Sequence, residues 1–123
     1  MRLPARERIP VMKNPLRVAK KLHDSLFMTF QYAINGVPQN LTGTTVRSQI
    51  RDVYGVLVGT LVFTLLTQSG NTLGLYTLEL AGPIEFGPGE FFWDIEYTFT
   101  GGRISTVPEE GHNLLVITDD DTK

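Results

Sequence analysis

The sequence predicts an all-β, antiparallel sandwich, and three observations predict it. From residue 24 onward, apolar and polar residues alternate with a period of two over most of the chain, the spacing of strands with one buried face. Clusters of Gly, Pro and Asn punctuate that alternation at short intervals, as turns between strands do. No stretch shows strong helical spacing.

The elements follow in order. Pro4, Pro10 and Pro15 remove backbone donors and bar a regular helix, so residues 1–15 are extended. Leu16–His23 fits either one helical turn or an edge strand. Leu26, Met28, Phe30 and Tyr32 then alternate with Phe27, Thr29, Gln31 and Ala33 as a strand. Asn35-Gly36 signals a turn, and Pro38 bars a central strand from continuing. Val46, Ser48 and Ile50 form an inward face against the polar Thr45, Arg47, Gln49 and Arg51. After a break at 52–55, residues 56–66 make a long strand with Leu57, Leu61, Phe63 and Leu65 on one face.

Gln68-Ser69-Gly70-Asn71 is a turn cluster, Leu73–Leu80 a strand, and Gly82–Gly89 a Gly/Pro loop. Phe91, Trp93, Ile95, Tyr97 and Phe99 alternate with Phe92, Asp94, Glu96 and Thr98, giving an aromatic inner and an acidic outer face. Gly101-Gly102 supplies a hairpin turn, because both positions accept positive φ. Arg103–Val107 pairs back, 108–111 interrupts, and Asn113–Thr118 is the last strand. Roughly six to eight short strands of this kind fit an immunoglobulin-like or jelly-roll-like sandwich. The chain thus divides into an arm (1–23), a sandwich (24–118) and an acidic tail (119–123).

Charge separates the arm from the sandwich. Arg2, Arg6, Arg8, Lys13, Arg17, Lys20 and Lys21 stand against Glu7 alone, whereas residues 22–123 carry four basic residues against twelve acids. A basic arm on an acidic body calls for an acidic partner, and another copy of the same body is the nearest one. Glu79, Glu85, Asp94 and Glu96 are the acids expected to receive it. On this reading the arm is separable, and the body folds without it.

At 123 residues the chain makes one domain with its own core. With no cysteine it has neither disulfide nor thiolate. The N-terminus has no apolar segment of a secretory signal. The longest apolar run, Val56–Leu66, is too short and too β-branched for a membrane helix. A protein made in the cytoplasm, or built into a particle there, is expected.

The residues offer little for catalysis. His23 and His112 lie far from each other in sequence and have no cysteine beside them, so neither has metal-ligand spacing. Asp94 and Glu96 are two positions apart on one strand face, a spacing that paired hydrolytic carboxylates can use, but a solvated outer face explains them more simply. Asp119-Asp120-Asp121 lacks the spaced ligands of a calcium loop. The glycine pairs lack a phosphate loop's ending, and Asn40-Leu41-Thr42 is a glycosylation sequon of little weight alone. The arm has no aromatic residue for base stacking, which favours a protein partner over nucleic acid. Trp93, Tyr97 and Phe99 read as core. No cofactor or metal is expected.

One set of motifs carries a resemblance. Phe30-Gln31-Tyr32, Asn35-Gly36-Val37-Pro38, Asn40-Leu41-Thr42-Gly43-Thr44-Thr45-Val46 and Ser48-Gln49-Ile50-Arg51 follow one another in that order. Gly89-Glu90-Phe91-Phe92-Trp93-Asp94-Ile95-Glu96-Tyr97 follows later. Together they resemble tailed-phage virion proteins, in which a Gly-Val/Ile-Pro turn leads to a Leu-Thr-Gly corner and later to a Trp-Asp-Ile strand. Over residues 26–118 the chain is similar to the N-terminal domain of siphophage baseplate upper proteins.

The resemblance implies a β-sandwich module that attaches receptor-binding or fibre components to a virion, with no catalytic residues. The chain departs from it by ending at Lys123 without a fibre extension, and by its basic arm. The expected function is a non-enzymatic tail or baseplate adaptor, or fibre-attachment protein, partnered by copies of itself and other virion proteins in a homo-oligomer or ring. A capsid decoration protein is the alternative. A small carbohydrate-binding module using Phe92 or Tyr76 is a further one. No membrane partner is expected.

Overall fold

A computed structural model of the chain describes residues 9–10, 15–108 and 111–119, in which twelve strands and one 3₁₀ turn (Gly70–Thr72) account for the regular structure. The strands are β1 (Ile9–Pro10), β2 (Arg17–Lys21), β3 (Phe27–Gln31), β4 (Ala33–Ile34), β5 (Val37–Pro38) and β6 (Thr45–Asp52). They continue with β7 (Leu57–Leu65), β8 (Leu75–Leu80), β9 (Gly89–Trp93), β10 (Ile95–Thr98), β11 (Ile104–Val107) and β12 (Asn113–Thr118).

One curled sheet runs in the order β1-β3-β8-β7-β6-β9-β12-β2. Its halves, β1-β3-β8-β7 and β6-β9-β12, follow the ABED and CFG orders of immunoglobulin-type sandwiches. The antiparallel β7–β6 pair joins them along one side. The core lies between the halves, where the rings of Phe30 on β3 and Trp93 on β9 stand 6.1 Å apart. Leu26, Met28, Ile50, Leu61, Leu78, Ile95, Leu115 and Ile117 are buried around them. These are the alternate positions that the period-two pattern assigns inward, each worth about 1.5–3 kcal/mol when removed from water.

Four features refine or depart from the sequence reading, each for a local reason. Of the two conformations that fit 16–23, the chain takes the strand: β2 runs parallel to β12, from Arg17 beside Leu114 to Lys21 beside Thr118. The expected boundary at residue 23 therefore falls beyond an edge strand of the sandwich itself. Residues 33–38 add a small ribbon, β4–β5, because Asn35 (φ 51°) and Gly36 (φ 79°) take the left-handed pair of a type I′ turn. Leu57 is exposed, since the β6–β7 register shifts between Ile50 and Arg51 and leaves Gly59 facing the core beside Leu80 and Phe86. Finally, the strand over 89–98 breaks at Asp94.

That break changes partners on one side only. One register holds the whole line against β6, from Trp93 opposite Ile50 to Thr98 opposite Thr45. On the other side β12 pairs with β9 and β11 with β10. Ser48, buried on the inward face, donates its hydroxyl to the Asp94 carbonyl at 2.7 Å, which accounts for a polar residue there.

Inside the core, the hydroxyls of Tyr76 and Tyr97 meet at 2.5 Å, both residues fully buried. Burial, reinforced by the neighbouring tyrosines, pushes Tyr76 well above the ordinary tyrosine value of 10.0, and burial raises Tyr97 as well. Both stay neutral in the fold while the unfolded chain ionises near pH 10. Their contribution to stability is therefore complete below about pH 10 and is lost as pH rises beyond it, by up to about 1.4 kcal/mol per pH unit for each group. Urea midpoints measured across this range should fall more steeply for the natural chain than for Tyr97→Phe; equal slopes would refute the assignment.

Candidate functional site

The outward faces of β6 and of the β9–β10 line together form a groove enclosing about 390 Å³. β6 contributes Arg47, Gln49 and Arg51, the polar positions of its alternation. The facing line contributes Phe92, Asp94 and Glu96. Because one register spans β6, Arg47 lies opposite Glu96 and Arg51 opposite Phe92, which sets Gln49 across from Asp94. The β11–β12 fork opens one flank, where His112 and Thr106 complete the lining.

The polar groups in this groove answer one another. Arg47 Nε lies 3.7 Å from Glu96 Oε1. His112 Nδ1 lies 3.2 Å and 3.3 Å from the two carboxylate oxygens of Asp94. Arg51 donates through Nη1 to the Gly55 carbonyl at 3.1 Å and through Nη2 to Gln49 Oε1 at 2.9 Å. The Phe92 ring, half-buried, sits 5.5 Å from that of His112.

The far wall is the β6–β7 turn. Asp52 Oδ1 accepts the backbone N–H groups of Tyr54 and Val56, both at 2.9 Å, so the turn is held in one shape. Among the described residues no group of three His, Cys, Asp or Glu is placed to hold a metal ion. What the groove offers is alternating donors and acceptors around one aromatic surface.

The residues expected to carry the partner contacts scatter. Arg2, Arg6, Arg8 and Lys13 lie outside the described residues. Arg17 and Lys21 are exposed and Lys20 half-buried, all on β2. Asp94 and Glu96 share the groove, but Glu79 is on β8, separated from β9 by both β7 and β6, and Glu85 is exposed in the 81–88 loop. The four acids thus do not make one face. Asp120 and Asp121 lie outside the described residues. His23, exposed at φ 77°, receives its backbone constraint from a bond to the Ile84 carbonyl at 2.8 Å.

The expected sugar platform is corrected at one position. Tyr76 is fully buried, because it points into the same interior as Phe30 and Tyr97. Phe92 does reach the groove. Trp93 and Tyr97 are core, and Phe99 is half-buried under the Arg103 guanidinium, 4.9 Å from the ring centre.

Two polar residues with structural roles are missing from the sequence reading. Gln68 Oε1 accepts the N–H groups of Leu41 and Gly74, both at 2.9 Å, while its Nε2 donates to the carbonyls of Leu66 and Leu75. It ties the Leu-Thr-Gly corner to the β7–β8 connection. Asn113, buried, accepts the Leu16 N–H at 2.8 Å and so latches β2 onto β12.

No family model matches the chain, and no curated protein does. Among solved structures, it is similar to the crystal structure of CopC from Methylosinus trichosporium OB3b. Identity is 13%, 89% of this chain and 88% of that chain are covered, and the TM-score is 0.48. A likeness of that order says nothing of function.

Proposed function

We propose that this chain is a non-enzymatic structural module of a tailed-phage virion, a tail or baseplate adaptor that joins copies of itself or neighbouring proteins through its basic N-terminal segment. One observation supports this reading most. The N-terminal segment provides the outermost strand at both ends of the sheet, β1 beside β3 and β2 beside β12, each in parallel. A segment that pairs with sheet edges by main-chain hydrogen bonds is suited to bridging edges between subunits. The charge contrast between this segment and the acidic body orients such contacts.

The arrangement of acids refines the expected contact. Asp94 and Glu96 face His112 and Arg47 within their own chain, so the exposed Glu79 and Glu85 are the better receivers for arginines of a neighbour.

Light scattering tests the proposal with the full chain and with a variant in which Arg2, Arg6, Arg8 and Lys13 are all replaced by Glu, which leaves β2 intact. The natural chain is expected to form an oligomer that weakens with salt, and the variant to be a monomer under all conditions. A natural chain monomeric throughout, or a variant that assembles equally well, would overturn assembly through this segment.

A further inference from the structure

We infer that the groove between β6 and the β9–β10 line is a binding site for a neutral, hydroxyl-rich ligand, a saccharide. Phe92 is the starting point. It occupies an outward position of a strand whose other outward positions are Glu90, Asp94, Glu96 and Thr98. Nothing in the core requires an aromatic ring there, and its half-exposed face borders a groove of about 390 Å³. That volume lies within the range of small-ligand sites, about 300–1,000 Å³. An aromatic face beside a polar wall suits the C–H face of a sugar ring, which is apolar while its rim is hydroxylated.

The charge pattern selects the ligand class. An anion would meet Asp52, Asp94 and Glu96 in the same groove; a cationic peptide would meet Arg47 and Arg51. Donors and acceptors meet in pairs, Arg47 beside Glu96 and the His112 ring nitrogen beside the Asp94 carboxylate. They leave polarised oxygens and N–H groups of both kinds along the groove. A hydroxyl both donates and accepts, so neighbouring hydroxyls can engage a carboxylate oxygen and a guanidinium N–H together. Gln49, midway along the floor, holds Arg51 with its Oε1, and its Nε2 donors have no protein partner among the described residues.

The groove is also preorganised. The Arg51–Gln49 and Arg51–Gly55 bonds and the Asp52 turn fix the walls before any ligand arrives, which lowers the ordering cost of binding.

The test is a heteronuclear NMR titration of the full chain with neutral oligosaccharides of glucose, galactose, rhamnose and N-acetylglucosamine. At least one of these is expected to bind with a micromolar to millimolar constant and to shift amides of residues 47–51, 92–96 and 112. Phe92→Ala should weaken that binding tenfold or more while the variant keeps the natural amide spectrum away from the groove, and Phe92→Tyr should retain it. Absence of shifts with every saccharide, or full affinity in Phe92→Ala, would overturn the inference. So would selective shifts of the same amides by a peptide copying residues 1–14, which would mark the groove as a peptide site.

Discussion

Trp93→Ala should cost the domain about 3–5 kcal/mol, the loss expected when a buried aromatic is truncated and its cavity stays partly open. Trp93 is 2% exposed and sits where the two halves of the sheet meet, its ring 6.1 Å from that of Phe30. Its neighbours cannot close the gap easily, since Phe30 also stacks on Tyr76, and Tyr76 is bound through its hydroxyl to Tyr97. Trp93→Phe should cost less. The indole Nε1 is buried without a hydrogen-bond partner among the described residues, so its removal relieves an unpaired donor while most of the ring is kept. Urea unfolding of both variants gives the comparison. An alanine variant of natural stability would show that the cluster around Trp93 does not hold the halves together.

Removing residues 1–21 should cost on the order of 4–6 kcal/mol, comparable with the whole stability of many domains. The reading of the arm as separable does not survive the structure, because β2 is a strand of the sandwich. Its loss takes away the five-residue pairing with β12 and the bond from Leu16 to Asn113. Leu16 and Val18, both packed against the core, go with it. It also uncovers the β12 edge and invites association through unpaired strands. Asn113→Ala isolates the latch and should cost about 1–3 kcal/mol. If residues 22–123 unfold at the natural urea midpoint, the β2–β12 pairing contributes nothing.

Much of this architecture is legible in the sequence because alternation reports which side of a strand is wet. Val46, Ser48 and Ile50 face inward and Arg47, Gln49 and Arg51 outward, as their order predicts. Bounds for β12 match to the residue. The failures occur where the third dimension intervenes. Tyr76 carries a hydroxyl and could stand at a surface, but Tyr97, far along the chain, gives that hydroxyl a buried partner. Leu57 obeys the alternation and is still exposed, because a bulge in the pairing shifts its register.

The groove was hidden for a related reason. Arg47, Gln49 and Arg51 are visible as a polar face, and Phe92, Asp94 and Glu96 as another. That the two adjoin depends on β6 lying beside β9 and β10, a register fixed only by the folded sheet. Gln68 and Asn113 lie in or beside turns and look like ordinary turn residues. Their value comes from the backbone groups that distant segments bring to them.

The parallel β2–β12 pair has a mechanical consequence. The chain enters β2 at Arg17, level with Leu114, and leaves β12 at Thr118, level with Lys21. Tension applied at Leu16 and at Asp119, just outside the pair, pulls the two strands lengthwise in opposite directions. All their hydrogen bonds then carry load together and must rupture in concert, instead of peeling open one by one. A pair threaded in this way resists stretching along its strands far better than across them.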